Sequence, residues 1–233
     1  MGALPEFARS RVRWKDACRL IPSRFPPVSL FETVADPADL DVVFAIEQLA
    51  NPRLRDAVGE LRLVPPEQRV SGPGTSAIMA AFTHLNPDGS RFSDGSWGVY
   101  YAARTLATAV AEVGWHRARF LARTREAPIE IDLRCYRARV EATLVDIRGA
   151  AEAAALHASD SYAASQAFAR PLRAAAVSGI AYDSVRDPGG QCVALFTPRA
   201  LVPPARQAEH VTLRWDGARI AGWYLKSELR PLP

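Results

Sequence analysis

The sequence predicts an α+β fold of one domain, with mostly antiparallel sheets and flanking helices. Short apolar stretches suited to strands recur from Ala17 to Tyr224. Two turn signals, Asp187-Pro-Gly-Gly190 and Asp216-Gly217, join neighbouring strand stretches as hairpins do. No internal repeat and no low-complexity linker divides the 233 residues, a length that is long for one domain but does not require two.

Taken in order, residues 1–16 read as an exposed lead-in and 17–233 as the functional domain. Ala17 to Ile21 is a strand. The three prolines of 21–27 impose an extended loop, flanked by Arg19 and Arg24. Asp36-Pro37 pairs an N-cap with proline at the first helical position and opens a helix to Ala50, which Asn51-Pro52 stops. Leu61–Val64 is a short strand before Pro65-Pro66. Gly72-Pro-Gly74 is a turn, and the first half of 75–85 is helical. Val99–Ala102 is a buried strand, and Thr105 caps a helix to about Arg123. Ile129–Val140 and Leu144–Ile147 form two strands. A helix fills Ser159–Val177 until Gly179 stops it. Ile180–Val185 and Cys192–Phe196 form one hairpin. Val211–Trp215 and Arg219–Tyr224 form another, with a type I′ turn that needs positive φ at both central residues.

Composition narrows the function classes. The chain is 48% hydrophobic and 23% charged, ordinary for a soluble globular protein. No apolar run approaches the ~18 residues of a membrane span. Met1 to Arg13 lacks the apolar centre of a signal peptide. Cys18, Cys135 and Cys192 are an odd, widely spaced set with no CxxC, which argues against a disulfide framework or zinc site and fits a reducing cytoplasm. The net charge is +4, and all but two of the 29 basic residues are arginine. Codon bias in a GC-rich genome explains that usage; a cleft for phosphates or carboxylates, which arginine grips bidentately, is the functional alternative. No run of five cations occurs, so direct nucleic-acid binding is not expected. Dinucleotide, phosphate-loop, HExxH and GxSxG motifs are missing, and no histidine pair has metal-ligand spacing. The expectation is chemistry without a metal.

The informative stretch is 89–116. A glycine-punctuated loop carries Arg91, a short strand carries Tyr100 and Tyr101, and a helix carries Glu112. Leu106, Ala109, Val110, Val113 and Phe120 make the helix's apolar stripe. At about 100° per residue Glu112 falls at the border of that stripe, with Thr108 and His116 on its side. A cation, a phenol and a carboxylate on three adjoining elements can hold a phosphate-bearing ligand and stabilise positive charge that develops on it. The plainer readings are a solvated glutamate beside His116, a surface arginine and a core tyrosine.

Arg91-Phe-Ser with Gly95, then Tyr101-x-Ala103, then Thr108-Ala109-x-x-Glu112, and later Tyr182-Asp-Ser184, resembles the signature of the RES-domain family. That family is named for its arginine, glutamate and serine. The likeness covers roughly residues 17–200, and four separated elements fall in order. Arg-Leu-Ile-Pro-Ser-Arg-Phe-Pro-Pro at 19–27 and Asn-Pro-Arg-Leu-Arg at 51–55 look most like the ParT branch.

The resemblance implies the toxin of a bacterial toxin–antitoxin pair, with NAD as co-substrate and a fold akin to ADP-ribosyltransferases of the diphtheria-toxin type. It implies an antitoxin that covers the NAD cleft. Branches of the family differ in the acceptor. Transfer to a protein, with ribose-phosphate pyrophosphokinase as the ParT-type target, is the leading reading. NAD phosphorolysis or hydrolysis is the alternative, and a non-catalytic nucleotide- or antitoxin-binding module is the second. Glu112 would then stabilise the oxocarbenium-like charge near the ribose. Arg91, with Arg19 or Arg24, would hold the diphosphate, and Tyr101 would offer a flat face to the nicotinamide. Ser184 would either bond the carboxamide or orient Glu112.

Overall fold

Side-chain alternation on long strands frames the molecule. The computed structural model describes residues 6–23, 30–33, 40 and 59–226. In chain order the elements are β1 (Arg9–Pro22), α1 (Leu30–Thr33), α2 (Ser76–Thr83), β2 (Tyr100–Ala103), α3 (Leu106–Thr124) and β3 (Ile129–Asp146). There follow α4 (Ala163–Ala174), β4 (Gly179–Asp183), β5 (Gln191–Leu195), β6 (Leu201–Trp215) and β7 (Ile220–Leu225). Short 3-10 turns lie at Leu61–Leu63, Pro66–Gln68, Ala151–His157 and Pro198–Ala200.

The spine is β3, an 18-residue strand. One edge pairs antiparallel with β1, from Leu133 opposite Pro22 to Val145 opposite Arg9. The other edge takes β6 along Ile129–Val140, then β4 at Val145 and Asp146, the latter in parallel. β4 pairs β5, β5 pairs β2, and β2 returns to β1 at Cys18 opposite Ala103. The pairings of β1, β2, β5, β4 and β3 therefore close on themselves. The β6–β7 hairpin hangs outside this ring.

Period-2 alternation sends neighbours to opposite faces. Tyr100 joins a cluster with Val12, Trp14, Ile78, Met79, Phe82 and Leu144, under α1 and α2. Tyr101 packs on the other cluster, with Phe92, Val110, Phe168 and Tyr182, under α3 and α4. The α+β class with mostly antiparallel pairing is as the sequence predicts.

Several elements differ from expectation. The lead-in over 1–16 gives way from Arg9 onward to β1, because Val12 and Trp14 point into the core between exposed arginines. A polar-looking alternation is here a strand. Leu61–Val64 makes a 3-10 turn rather than a strand. It runs straight into Pro65-Pro66, whose missing N–H groups cannot continue a ladder. The stretch 129–147 is one strand rather than two, since β1 accompanies it through residues 141–143. The later helix starts at Ala163 rather than Ser159, after the 3-10 turn over the alanine-rich segment. Gly179 is the first residue of β4, where Ala194 O would lie 2.2 Å from a Cβ. In the last hairpin only Gly217 has positive φ, 98°. Asp216 Oδ1 ties that turn by accepting the N–H groups of Ala218 and Arg219, so no type I′ turn is needed. The helix expected over 36–50 lies outside the described residues, Leu40 excepted.

α3 begins as expected. Thr105 has extended backbone, and its Oγ1 accepts the N–H of Thr108 at 3.1 Å. Thr105→Ala leaves that donor without its cap and should cost about 1 kcal/mol. A lowered thermal midpoint with an unchanged fold by circular dichroism checks it.

Candidate active site

α3 projects Thr108, Glu112 and His116 from one side at successive turns. The stripe behind them is Ala109, Val110 and Leu121, with Leu106 and Val113 half-buried. Phe120, counted with the stripe in the sequence, is 43% exposed instead, because Leu121 holds the inward position at that turn. Glu112 is half-buried, at the border of the stripe.

The residues on this face grip the loop between β4 and β5. Thr108 Oγ1 donates to Asp187 Oδ2 at 2.6 Å. Ser184 Oγ donates to Glu112 Oε1 at 2.6 Å, and the Val185 N–H donates to the same oxygen at 3.1 Å. Ser184 Oγ in turn accepts the N–H groups of Arg186 and Asp187, at 3.1 and 3.0 Å. Its hydroxyl is fully engaged, and its one proton is spent on Glu112. A Cβ at Gly190 would stand 2.7 Å from Thr108 Cγ2 and from Asp187 Oδ2, so only glycine admits this approach of loop to helix. Glu112 Oε2 has no hydrogen bond among the described residues.

A second group of contacts sets Arg91. Tyr101 Oη accepts the Phe92 N–H at 2.9 Å and shares a hydrogen bond with Ser90 Oγ at 2.8 Å. Gln166 of α4 donates to the carbonyls of Ser90 and Ser93. Held in this way, Arg91 is only 6% exposed. Its Nη1 donates to Leu156 O and Ala158 O, both at 3.0 Å, and its guanidinium lies 5.0 Å from the Tyr162 ring centroid. No carboxylate pairs with Arg91 among the described residues. A desolvated cation with only carbonyl and ring partners is costly, by several kcal/mol before compensation.

The two groups meet around His116. Its ring lies 6.4 Å from that of Tyr162. Arg186 stacks on Trp115 at 3.5 Å and donates to Ser159 O, and Arg119 lies 4.7 Å from the same indole. Desolvation holds the His116 ring below its ordinary pKa; Glu112 opposes this, while Arg186, Arg91 and Arg119 add to it. Desolvation likewise raises the Tyr162 phenol, against the pull of Arg91 and Arg186. Desolvation pushes Tyr101 up to about 12, opposed by Ser90 and Phe92, so its phenol stays protonated.

Arg19 lies at a different place. Its Nη1 donates to Tyr101 O at 3.2 Å, and its guanidinium sits 4.7 Å from the Tyr100 ring centroid. Its Nε is buried with no hydrogen-bond partner among the described residues. The Tyr100 hydroxyl is also buried with no partner among the described residues, which costs about 1–3 kcal/mol. Ring burial and a cation–π contact of ~0.5–2 kcal/mol have to offset that. Arg24 lies outside the described residues. The structure thus joins Glu112 to Ser184 directly. It joins Arg91 to Tyr101 through the loop, and Arg91 to the Glu112 side through Tyr162 and His116. Arg19 reaches the group only through the β2 backbone.

Sequence reasoning passed over Tyr162, Trp115, Arg186 and the Thr108–Asp187 clamp. Arg186 sits two residues after Ser184, a signal available in the motif itself. Tyr162 is brought in by tertiary packing alone. Among the described residues no group of His, Cys, Asp and Glu is placed to hold a metal ion, and no helix is long and apolar enough to cross a membrane.

A family model described as RES domain matches residues 66–216. The match begins later and ends later than the span legible by eye, and it leaves the ParT-like segments at 19–27 and 51–55 outside. The uncharacterized protein y4oC of Sinorhizobium fredii (strain NBRC 101917 / NGR234) is 38% identical over 131 residues, 56% of this chain and 56% of that protein. The chain therefore spans about half the length of this curated relative. The crystal structure of the M. tuberculosis MbcT-MbcA toxin–antitoxin complex aligns with a TM-score of 0.40 and 11% identity, over 89% of this chain and 88% of that one.

The electrostatics around His116 can be checked by NMR titration. The ring should titrate below 6.5, and Glu112→Gln should lower it further, because the carboxylate is the one group that raises it. An unmoved or raised midpoint in the variant would place the two side chains out of reach of each other.

Proposed function

Because the chain belongs to the RES-domain family, we propose that it is the toxin of a toxin–antitoxin pair and acts on NAD. In this reading it cleaves the nicotinamide–ribose bond and passes ADP-ribose to a protein. One observation carries the reading. Glu112 is held by two donors on Oε1, while Oε2 has no partner among the described residues. A carboxylate fixed before the reaction stabilises positive charge that develops beside it without reorganising, and charge of that kind develops at an anomeric carbon whose leaving group departs.

The other residues take roles consistent with their contacts. Ser184 acts as a positioning residue for Glu112, since its proton is already committed there; of the two roles open in the sequence, this is the one its contacts support. Arg91, buried without a carboxylate partner, suits an anionic ligand such as a diphosphate. Arg119 and Arg186 add positive potential on the same side. Tyr101 holds the Arg91 loop through its hydroxyl, and the part of its ring not packed on the core is, in this reading, the platform for the nicotinamide. Arg19 supports the reading only through the Tyr101 carbonyl. An antitoxin that sets an acidic side chain or a chain terminus against Arg91 would satisfy that charge and compete with NAD, each weakening the other by the same factor. By its resemblance to the ParT branch, the acceptor to try first is ribose-phosphate pyrophosphokinase.

Glu112→Gln should lower turnover of labelled NAD by roughly 10²–10³-fold, the scale of losing one preorganised electrostatic group, with the thermal midpoint nearly unchanged. Full activity in that variant would sink the assignment. Incubation with the acceptor protein separates the chemistries. A labelled protein band supports transfer, whereas NAD loss that needs phosphate and labels no protein identifies a phosphorylase.

A further inference from the structure

Away from Glu112, the outer face of β1 carries a charge pattern that a search for runs of cations does not register. Arg9, Arg11, Arg13 and Lys15 occupy alternate positions, and all four are exposed. Val12 and Trp14, between them, are buried on the opposite face. Alternate residues of a strand share a face. The four cations therefore form a row spanning about 20 Å, at roughly 6.8 Å intervals.

The row continues onto the neighbouring strands. Glu141 of β3 is approached by Arg11 at 3.2 Å, by Arg13 at 3.7 Å and by Arg139, so one carboxylate serves three guanidinium groups. Where the register of β1 on β3 shifts, between Trp14 and Ala17, a hollow of about 230 Å3 opens, lined by Lys15, Asp16, Arg137, Arg139 and Arg206 beside Val202 and the prolines 203 and 204. Glu209 takes Arg137 in two hydrogen bonds. Among the described residues the face thus holds seven cations against the carboxylates of Asp16, Glu141 and Glu209, a surplus of four.

We propose that this face, the β1 row from Arg9 to Lys15 with the Arg137–Arg139–Arg206 hollow, binds the phosphate backbone of duplex nucleic acid without reading sequence. Three features select that partner. Over about 20 Å one strand of a duplex presents roughly six phosphates, a regular anion array of the length of the row. A protein partner would need an apolar anchor. Of the large exposed apolar side chains among the described residues, Phe120, Ile129, Trp223, Tyr224 and Leu225 are on other elements or at the far end of β3, and only Val202 lies beside the hollow. A single strand would need exposed aromatic rings on which bases stack. The aromatic residue within the row, Trp14, is buried on the opposite face. The inference is independent of the reading of the Glu112 site.

The test is fluorescence anisotropy of the full chain with a labelled duplex of about 20 base pairs and mixed sequence, titrated from about 50 to about 200 mM KCl. With four uncompensated cations on phosphates, log K against log salt should fall with a slope of about −3.6, a loss of roughly 150-fold over that range. The double variant Arg11→Gln/Arg13→Gln removes two exposed charges and should flatten the slope by about 1.8. Glu141→Gln removes the shared carboxylate and should tighten binding and steepen the slope, a gain that misfolding cannot mimic. Both variants should keep the circular dichroism spectrum of the parent. No binding at the lowest salt, a slope indifferent to these substitutions, or capture of a polyglutamate peptide in place of the duplex would each overturn the proposal.

Discussion

The candidate site depends on a single hydrogen bond between a helix and a loop, from Ser184 Oγ to Glu112 Oε1. A bond to a charged acceptor contributes about 1.5–3 kcal/mol, small against the apolar stripe that packs α3 on the sheet. Its importance is geometric. The stripe fixes α3 against the sheet but leaves a glutamate at its border free to choose rotamers. Ser184 and the Val185 N–H remove that choice, and Thr108 with Asp187 repeats the link one turn earlier. Gly190 makes the second link possible by carrying no Cβ where Thr108 and Asp187 meet. The first and last residues of the Thr-Ala-x-x-Glu motif thus bind one loop from one helix face, which explains their spacing of four in physical terms.

The pair Tyr100–Tyr101 shows how one strand divides labour between two cores. Tyr100 faces the α2 side, where its ring is fully buried beside Arg19. Tyr101 faces the α3 side, where its hydroxyl organises the loop that carries Arg91. The half-buried Arg19 and the buried Arg91 therefore stand on the two sides of a four-residue strand. The resemblance set Arg19 or Arg24 beside Arg91 at one diphosphate, and a motif match says nothing about which face of a sheet a side chain takes.

Glu112, Ser184, Tyr101 and Arg91 stood out as candidates in the sequence because each sits in a short motif whose local structure is strongly dictated: a capped helix, a glycine turn, a buried strand. Tyr162 did not, since nothing near it in sequence marks it, and only the packing of the segment before α4 brings it under Arg91. The start of β1 was misread for another reason. Arginine is usually scored as polar and irregular, so Arg-Ser-Arg-Val-Arg-Trp-Lys at 9–15 looked like an exposed leader. Its period of two is visible once Val12 and Trp14 are weighed as core residues. The turn at Asp216-Gly217 was located correctly but assigned the wrong geometry, because an aspartate side chain can close a turn that backbone dihedrals alone would not.

The closed ring of strand pairings also sets a timetable for synthesis. Ser10 on β1 meets Asp146 on β3, 136 positions later. At roughly 5–20 residues per second, β1 leaves the ribosome some 7 to 27 s before the end of its partner strand exists. During that wait it is an unpaired edge with apolar side chains on one face, the kind of segment that associates with other chains. The cations at every second position then act as gatekeepers, since two such strands brought together would set like charges opposite one another. Removing them would be felt first in the yield of soluble protein from nascent chains, before any change in the finished fold.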